Sequence, residues 1–293
     1  MRNSIVKGYL FAAASAISFG FIPLFIIPLK RAGISMDVTL FYRFLFAAVM
    51  IGAYCLFAKS SLKIRRSDLP KLVIMGLLYA MSAEFLFLGY DAMSAGIAST
   101  VLYVYPLIVA LILYFGFGEK ISFWTGVSIA LALLGVTFMS WEGETLRFNL
   151  WGTLIVLTSA LAYALYMIVV NKGKLQASGV TVTFYSVLFS AVFYALKTLV
   201  SGQSLLLASP GRLGFIAVFS LVTVVISVLF IVLAINRIGS APTAILGALE
   251  PAVAVWVSVF FLGEKATWNL MAGLVLILSA LLVNILGMRK NSG

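Results

Sequence analysis

The stretch ALEPAVAVWVSVFFLGEK, residues 248 to 265, repeats a pattern found earlier in YVYPLIVALILYFGFGEK, residues 103 to 120. When the two stretches are aligned, Pro106 pairs with Pro251 and the two Gly-Glu-Lys endings coincide. Shorter matches upstream pair ASAISF with TSALAY and LFYRFLFAAV with TFYSVLFSAV. The chain therefore contains an internal duplication, and each half carries the same block from proline to Gly-Glu-Lys.

Hydrophobic residues make up 63% of the 293 residues and charged residues only 10%, with a mean hydropathy of +1.15. An ordinary soluble domain is about half apolar and about a quarter charged, so this composition is typical of a protein embedded in lipid. A spanning helix needs roughly 20 mostly apolar residues, and runs such as LIVALILYFGFG lack the alternation of a β-barrel strand. Breaks at Gly, Pro and charge clusters predict ten spans, at residues 5–29, 38–58, 70–90, 96–117, 122–141, 150–171, 181–200, 213–235, 241–262 and 267–287.

The duplication divides these spans into two five-helix units, at residues 1–145 and 146–293. Because five is an odd number, the second unit enters the membrane from the opposite face. Such inverted repeats place a substrate site near the membrane midplane, where the two units meet. The predicted fold class is an all-α integral membrane protein with ten transmembrane helices in two inverted five-helix repeats.

The formal net charge of +11 comes from an excess of Lys and Arg, which membrane proteins concentrate in cytoplasmic loops. Placing the N-terminus in the cytoplasm puts most of these residues inside, above all those of the loop KSSLKIRRSDLPK, residues 59–71. The sequence therefore predicts cytoplasmic N- and C-termini and no nucleic-acid partner. The first apolar run continues to Leu29, so we expect a retained helix and not a cleaved signal peptide.

The residue types of the chain disfavour an enzyme. The sequence has no histidine, a single cysteine at Cys55, no H-E-x-x-H metal motif and no phosphate-binding loop. A membrane-embedded enzyme normally needs a nucleophile with a base, or a metal with its ligands. We therefore expect no catalytic residue, metal or cofactor. A channel is a further alternative, but no polar loop of the sequence looks like a selectivity filter.

The duplicated block and the ten spans resemble those of the ten-helix EamA-type permeases of the drug/metabolite transporter superfamily. In that family each half carries a proline in its fourth helix, followed by an apolar stretch and a Gly-Glu motif. The resemblance implies a helical basket around a central cavity, transport driven by a gradient, and a place in the bacterial inner membrane. It leaves the substrate open, because family members carry amino acids, nucleosides, sugars or drugs.

Two acidic residues lie deep in predicted spans, Glu84 in the third and Glu250 in the ninth. A charged acid at a helix centre costs about 2.5 to 3.5 kcal/mol on insertion scales, so such residues usually face a cavity. We expect Glu84 and Glu250 to bind substrate or a proton, and at least one of them to exchange a proton during transport. The alternative is that each is a neutral acid hydrogen-bonded to a neighbouring helix.

Pro106 and Pro251 cannot donate a backbone hydrogen bond, so the carbonyl groups of Leu102 and Gly247 lose their helical partners. The shared position of the two prolines in the repeat favours a hinge and cavity wall in each half. The alternative is a kink that serves only packing, which membrane helices tolerate when neighbours satisfy the backbone.

A tyrosine in the middle of a span needs a partner for its hydroxyl group. The candidates for such cavity positions are Tyr103, Tyr105, Tyr163 and Tyr166. Tyr103 and Tyr105 are two residues apart, so on one continuous helix they should point in different directions.

Three further charged features are expected to be structural. Arg43 and Asp91 lie near span ends, where we expect them to reach the membrane interface. The two Gly-Glu-Lys motifs are expected to cap helices or lock loops, because Gly ends a helix and Lys suits the negative end of its dipole.

Acid groups, freed carbonyls and tyrosine rings suit a substrate that carries an amine. A phosphorylated substrate would call for Lys or Arg inside the cavity, and the basic residues fall in loops or near span ends, with Arg43 and Lys197 the deepest. We therefore predict a monomeric secondary transporter, in contact with membrane lipid, that exports an amino acid or amine, with protons as a second ligand. The alternative is a drug, nucleoside or sugar permease of the same fold.

Overall fold

The computed structural model describes the chain except for Met1 and residues 119–122, 143–146, 206–208, 239–242, 244–245, 248 and 291–293. Its helices are α1 (Arg2–Gly20), α2 (Ile22–Arg31), α3 (Met36–Phe57), α4 (Leu69–Ala92), α5 (Ala95–Leu102), α6 (Tyr105–Phe117), α7 (Phe123–Ser140), α8 (Leu150–Lys172), α9 (Gly179–Val200), α10 (Pro210–Ser220), α11 (Ser227–Ile238), α12 (Leu249–Phe261) and α13 (Trp268–Lys290). A 3-10 turn at Arg66–Asp68 precedes α4. Two short strands, β1 (Trp141–Glu142) and β2 (Arg147–Phe148), pair antiparallel between α7 and α8.

The helices match the ten predicted spans. Within the described residues, seven helical segments are long and apolar enough to cross a membrane, at Ile5–Arg31, Met36–Phe57, Arg66–Ala92, Ala95–Phe117, Leu150–Val170, Gly179–Val200 and Pro210–Ile238. Three shorter apolar helices occupy the other predicted positions, at Phe123–Met139, Leu249–Phe261 and Trp268–Val283. The all-α class is thus confirmed, and the chain is a multi-pass membrane protein.

Three of the spans are interrupted. The first span breaks at Phe21, just before Pro23 in the opening turn of α2, and the fourth breaks at Tyr103 and Val104, just before Pro106 in the opening turn of α6. A proline fits the first turn of a helix because the N–H that it lacks would have no helical partner there. The eighth span contains a π-helical segment, Leu221–Ile226, between α10 and α11. Such segments often occur at functional sites.

The two halves of the chain are interleaved. The helix pairs with the most extensive packing each join an element of the first half to one of the second: α7 with α13, α4 with α8, α1 with α11, α3 with α9, α4 with α9, and α5 with α12. The backbones of α7 and α13 approach each other closely, since a Cβ atom at Gly135 would come 3.0 Å from the carbonyl oxygen of Gly273. Small residues allow such backbone approach in membranes, where apolar burial does not drive helices together.

The most deeply buried large side chains belong to α3, α4, α9 and α10. Phe44, Phe87, Tyr194 and Phe219 are essentially inaccessible. Their rings are linked in part by stacking, since the Phe44 and Tyr194 centroids lie 5.9 Å apart. This aromatic core lies where the second, third, seventh and eighth spans meet, and it holds Arg43 in place.

Candidate substrate-binding site

Five tyrosine rings are in contact with one another and are called here the tyrosine cluster. They come from α4, from the break between α5 and α6, from α6 and from α8, and they are Tyr79, Tyr103, Tyr105, Tyr163 and Tyr166. The Tyr105 and Tyr163 centroids lie 4.6 Å apart with an interplanar angle of 89°, and the stacked Tyr163 and Tyr166 rings lie 5.7 Å apart. Tyr79 joins the group through Tyr166 at 5.5 Å. All four tyrosines selected from the sequence are therefore brought together. Tyr79 was missed, although its position in the middle of the third span met the same criterion.

The expected separation of Tyr103 and Tyr105 is wrong. Their rings touch edge to face, with centroids 5.6 Å apart. The reason is that no continuous helix carries both residues, because α5 ends at Leu102 and α6 begins at Tyr105. The break before Pro106 therefore lets the rings of Tyr103 and Tyr105 contact each other.

Pro106 is the second residue of α6 and lies in its first turn. Pro251 is the third residue of the described α12, and Gly247, four residues earlier, is also helical. In the first half the proline thus begins a new helix after a break, where a kinked continuous helix was expected. The residues just before α12 are only partly described, so the matching arrangement in the second half lies partly outside the described residues.

Glu250 occupies the position of the second half that corresponds to Tyr105 in the first. It is the second residue of the described α12, and its side chain is half-buried. Glu250 lies three residues after Gly247, and Gly247 packs against the Tyr103 hydroxyl group. Among the described residues, no Lys or Arg nitrogen lies within 4.0 Å of it.

Tyr103, in the first half of the chain, also packs against Gly247 of the second half. A Cβ atom at this position would lie 2.5 Å from the hydroxyl oxygen of Tyr103. Glycine is therefore needed for the Tyr103 side chain to lie where it does. This contact and the position of Glu250 place the cluster at the junction of the two halves.

Glu84 is placed differently from Glu250. Lys197 of α9 donates hydrogen bonds to Glu84 Oε1 and, at 2.9 Å, to Asp37 Oδ1 at the start of α3. The side chains of Lys197 and Glu84 are 31% and 20% exposed. Glu84 is therefore already neutralised within the protein, near the end of the bundle where α4 and α9 finish.

Sequence reasoning did not pair Lys197 with Glu84 or Asp37. The predicted topology could have suggested this pairing in part. Because successive spans cross the membrane in opposite directions, the second span begins on the face of the membrane where the seventh ends. Two residues near those ends, Asp37 and Lys197, should therefore share that face.

Arg43 does not reach the membrane interface, so that expectation is wrong. Arg43 is only 3% exposed, and its guanidinium group lies over the Phe219 ring, 4.6 Å from the centroid. Its Nη2 donates to Thr223 Oγ1 at 3.3 Å, and its Nε has no hydrogen-bond partner. The physical reason is that the aromatic core packs around α3 at this level and closes the route to the interface.

Asp91 has a side chain that is 60% exposed and forms an ion pair with Lys30 at 2.5 Å, while its place at the membrane interface stays a prediction. The second Gly-Glu-Lys motif is also structural. Glu264 accepts hydrogen bonds from Ala95 N at 2.6 Å and Gly96 N at 3.2 Å, which caps α5. In the first motif Gly118 ends α6 with a left-handed φ of 68°, while Glu119 and Lys120 lie outside the described residues.

Comparisons with known proteins agree with this architecture. The family model of the EamA-like transporter family matches residues 6–141 and again residues 150–286. The uncharacterized transporter YcbK of Bacillus subtilis is 25% identical over 250 residues, which covers 80% of this chain and 78% of YcbK. The threonine/homoserine exporter RhtA of Escherichia coli is 25% identical over 207 residues, or 70% of this chain and 68% of RhtA. A solved crystal structure shares the fold with a TM-score of 0.70 over 98% of this chain and 99% of that chain, at 14% identity.

Proposed function

Because the chain belongs to the EamA-like transporter family, we propose that it is a secondary transporter that exports a neutral or zwitterionic amino acid, or a related amine. The family and the named relatives are transporters, so the substrate is a small molecule that crosses the membrane. The choice of an amine-bearing substrate is the finer step, and it rests on the residues where the two halves meet.

The observation that carries the proposal is the position of Glu250 beside the tyrosine cluster. A carboxylate without an ion-pair partner among the described residues attracts a cation, and tyrosine rings attract ammonium groups through their π faces. Tyr105 and Tyr163 add hydroxyl groups that can accept or donate hydrogen bonds. This combination favours a substrate with an ammonium group and some apolar surface.

The relatives support the same substrate class. RhtA is named as an exporter of threonine and homoserine, two small amino acids that are zwitterions at neutral pH. At 25% identity this name supports the class and the direction of transport without fixing the substrate of this chain. A drug, nucleoside or sugar permease remains the second candidate, because the EamA-like fold by itself suits any of these.

We also propose that the halves, residues 1–145 and 146–293, are inverted repeats. Support comes from the helix pairs, because α3 with α9, α5 with α12 and α7 with α13 each join corresponding spans of the two halves. The proposal includes a monomer in the inner membrane with both termini in the cytoplasm. Under this arrangement the Lys197 ion pairs lie near the periplasmic face.

Proton exchange at an acid group is a further part of the proposal. Glu84 is held by Lys197, whereas Glu250 has no described basic partner within 4.0 Å. Glu250 is therefore the stronger candidate for a group that binds a proton in one step and substrate in another. Competition between the two ligands for one carboxylate would couple their movements.

A thermal-shift screen of the purified full chain tests the proposed substrate class. The panel contains neutral amino acids, amines, nucleosides, sugars and sugar phosphates, since a ligand that binds only the folded state raises its stability by mass action. We expect stabilisation by at least one neutral amino acid or amine, and a smaller shift for Glu250→Gln. Stabilisation by a sugar phosphate, with no response to any amino acid or amine, would overturn the proposal.

A further inference from the structure

Arg43 has fewer partners than a buried guanidinium normally requires. The group carries five N–H donors, yet it makes one long hydrogen bond to Thr223 and leaves Nε unpaired. No carboxylate oxygen of the described residues lies within 4.0 Å of its nitrogens. A buried charge without a counter-ion is costly, so a bound anion would stabilise Arg43.

The aromatic rings around Arg43 hold it in place without neutralising it. Its guanidinium carbon lies 4.6 Å from the Phe219 centroid, 5.5 Å from that of Phe44 and 5.8 Å from that of Phe87. Ser220 donates to the Arg43 backbone carbonyl at 2.8 Å, which fixes α3 against the start of the π-helical segment. The group is therefore oriented in advance, and orientation in advance lowers the cost of binding a ligand.

Aromatic rings join Arg43 to the tyrosine cluster. The Arg43 guanidinium carbon lies 5.5 Å from the Phe44 centroid, and the Phe44 and Tyr79 centroids lie 5.5 Å apart. Glu250 follows Gly247 by three residues, and a Cβ atom at Gly247 would lie 2.5 Å from the Tyr103 hydroxyl oxygen. Arg43 comes from the first half and Glu250 from the second, so each half contributes one charge of opposite sign.

Glu84 does not supply the missing anion. Its carboxylate and that of Asp37 are bound to Lys197. Arg43 and Glu250, by contrast, have no ion-pair partner among the described residues. A site with one positive and one negative group is neutral as a whole. It matches a neutral ligand that carries both charges.

We propose that Arg43 binds the carboxylate of a zwitterionic amino acid whose ammonium group is bound by Glu250 and the tyrosine cluster. The inference rests on the proposed function and narrows it, because a simple amine would leave Arg43 unpaired. A guanidinium group suits this role, since its planar fork can donate two parallel hydrogen bonds to one carboxylate. A phosphate dianion would instead meet the negative charge of Glu250.

The test uses proteoliposomes that contain the full chain, with radiolabelled L-threonine as the transported probe. Unlabelled L-threonine, its methyl ester and N-acetyl-L-threonine serve as competitors. The ester lacks the carboxylate and the acetylated compound lacks the ammonium group. We expect L-threonine to compete at least about tenfold better than either derivative, because charge-assisted hydrogen bonds are the strong ones.

Variants then assign each end of the ligand to a residue. Arg43→Gln should bring L-threonine and its methyl ester to within about threefold of each other, and Glu250→Gln should do the same for the N-acetyl compound, because each removes one charge-assisted contact. Arg43→Lys should keep part of the discrimination, since the charge remains. Arg237→Gln is the matched control, because Arg237 is exposed and lies over the Phe11 ring at 5.0 Å, away from this site.

The results separate the inference from the function on which it rests. Transport of a sugar phosphate by the wild-type protein, with no transport of any amino acid or amine, would overturn both. Transport with equal competition by the ester, or an Arg43→Gln variant that still distinguishes acid from ester, would overturn the inference alone. If Arg43→Gln does not fold, the wild-type comparison of the three competitors still decides the outcome.

Discussion

Lys197 of α9 forms an ion pair with Glu84 of α4 and at the same time binds Asp37 at the start of α3. The three side chains join the second half of the chain to two helices of the first. Other contacts tie the halves at the same end of the bundle, since Glu264 caps α5 and Arg31 donates to the Leu262 carbonyl at 3.3 Å. In the described structure polar contacts therefore join the two halves at this end of the bundle.

Replacing Lys197 by Met should destabilise the protein. The change leaves the carboxylates of Glu84 and Asp37 close together without a cation, and we expect the free energy of unfolding to fall by roughly 1 to 3 kcal/mol. The fall should be smaller than for a fully buried pair, because Lys197 is 31% exposed. Thermal or detergent denaturation of the purified variant measures the change.

The controls for Lys197→Met come from the same region. The double variant Lys197→Met with Glu84→Gln should recover part of the loss, since one of the two facing charges is gone. Asp91→Asn removes a pair whose acid is 60% exposed, and should change stability by less than about 1 kcal/mol. A double variant no more stable than Lys197→Met would contradict the ion-pair account.

Gly247→Ala should disturb the tyrosine cluster. The new Cβ atom would lie 2.5 Å from the Tyr103 hydroxyl oxygen, so the ring or the backbone has to move, and transport should fall at least severalfold. Adding Tyr103→Phe removes the clashing oxygen and should restore much of the rate. Gly126→Ala is the control, because a Cβ there meets nothing within 4 Å. Equal loss in the single and double variants would show that the contact does not matter.

The fold could be predicted from the sequence because its signals are local. Apolar run length fixed the spans, and the repeated block with Pro106 and Pro251 indicated the duplication before any contact was known. The mid-span positions of Tyr103, Tyr105, Tyr163 and Tyr166 selected four residues whose rings are in contact. The relative positions of Tyr103, in the break, and Tyr105, just after it, were predicted wrongly, because a two-residue break in a helix does not change the apolar pattern of the sequence.

The partners of the charged residues could not be predicted in the same way. Arg43 lies as close to a span end as an arginine that reaches the membrane interface would. Only the packing of Phe44, Phe87 and Phe219 around its guanidinium group shows that the side chain is buried within the protein. Likewise Lys197 meets Glu84 through the packing of α4 against α9. The contacts of Arg43 with Phe219 and of Lys197 with Glu84 join residues more than a hundred positions apart, so hydropathy and spacing do not reveal them.

The proposed topology predicts which loops a reagent can reach from outside the cell. A cysteine at Ser61, in the loop between α3 and α4, should resist a membrane-impermeant thiol reagent in intact cells. A cysteine at Ala266, between α12 and α13, should react. Both changes are made in a Cys55→Ser background, since Cys55 is the single native cysteine and is buried. The opposite labelling pattern would place the termini outside.

Proton exchange is tested by comparing Glu84→Gln with Glu250→Gln. We expect Glu250→Gln to abolish the response of transport to an imposed pH gradient, because the variant cannot bind and release the proton. Glu84→Gln should lower stability and keep that response, since Glu84 is bound to Lys197. If both variants leave the rate and its pH dependence unchanged, these acids do not couple transport to protons, and uniport becomes the better account.

The most direct measurement is counterflow in proteoliposomes that contain only this protein. Vesicles are loaded with unlabelled L-threonine or homoserine, and the uptake of a trace of labelled L-threonine is followed for the wild-type chain and for Glu250→Gln. We expect saturable accumulation that exceeds that of protein-free vesicles, and a loss of at least about tenfold in the variant, because Glu250 supplies the carboxylate for the ammonium group. Accumulation of a sugar phosphate or nucleotide sugar, with no counterflow of any amino acid or amine, would contradict the proposed function.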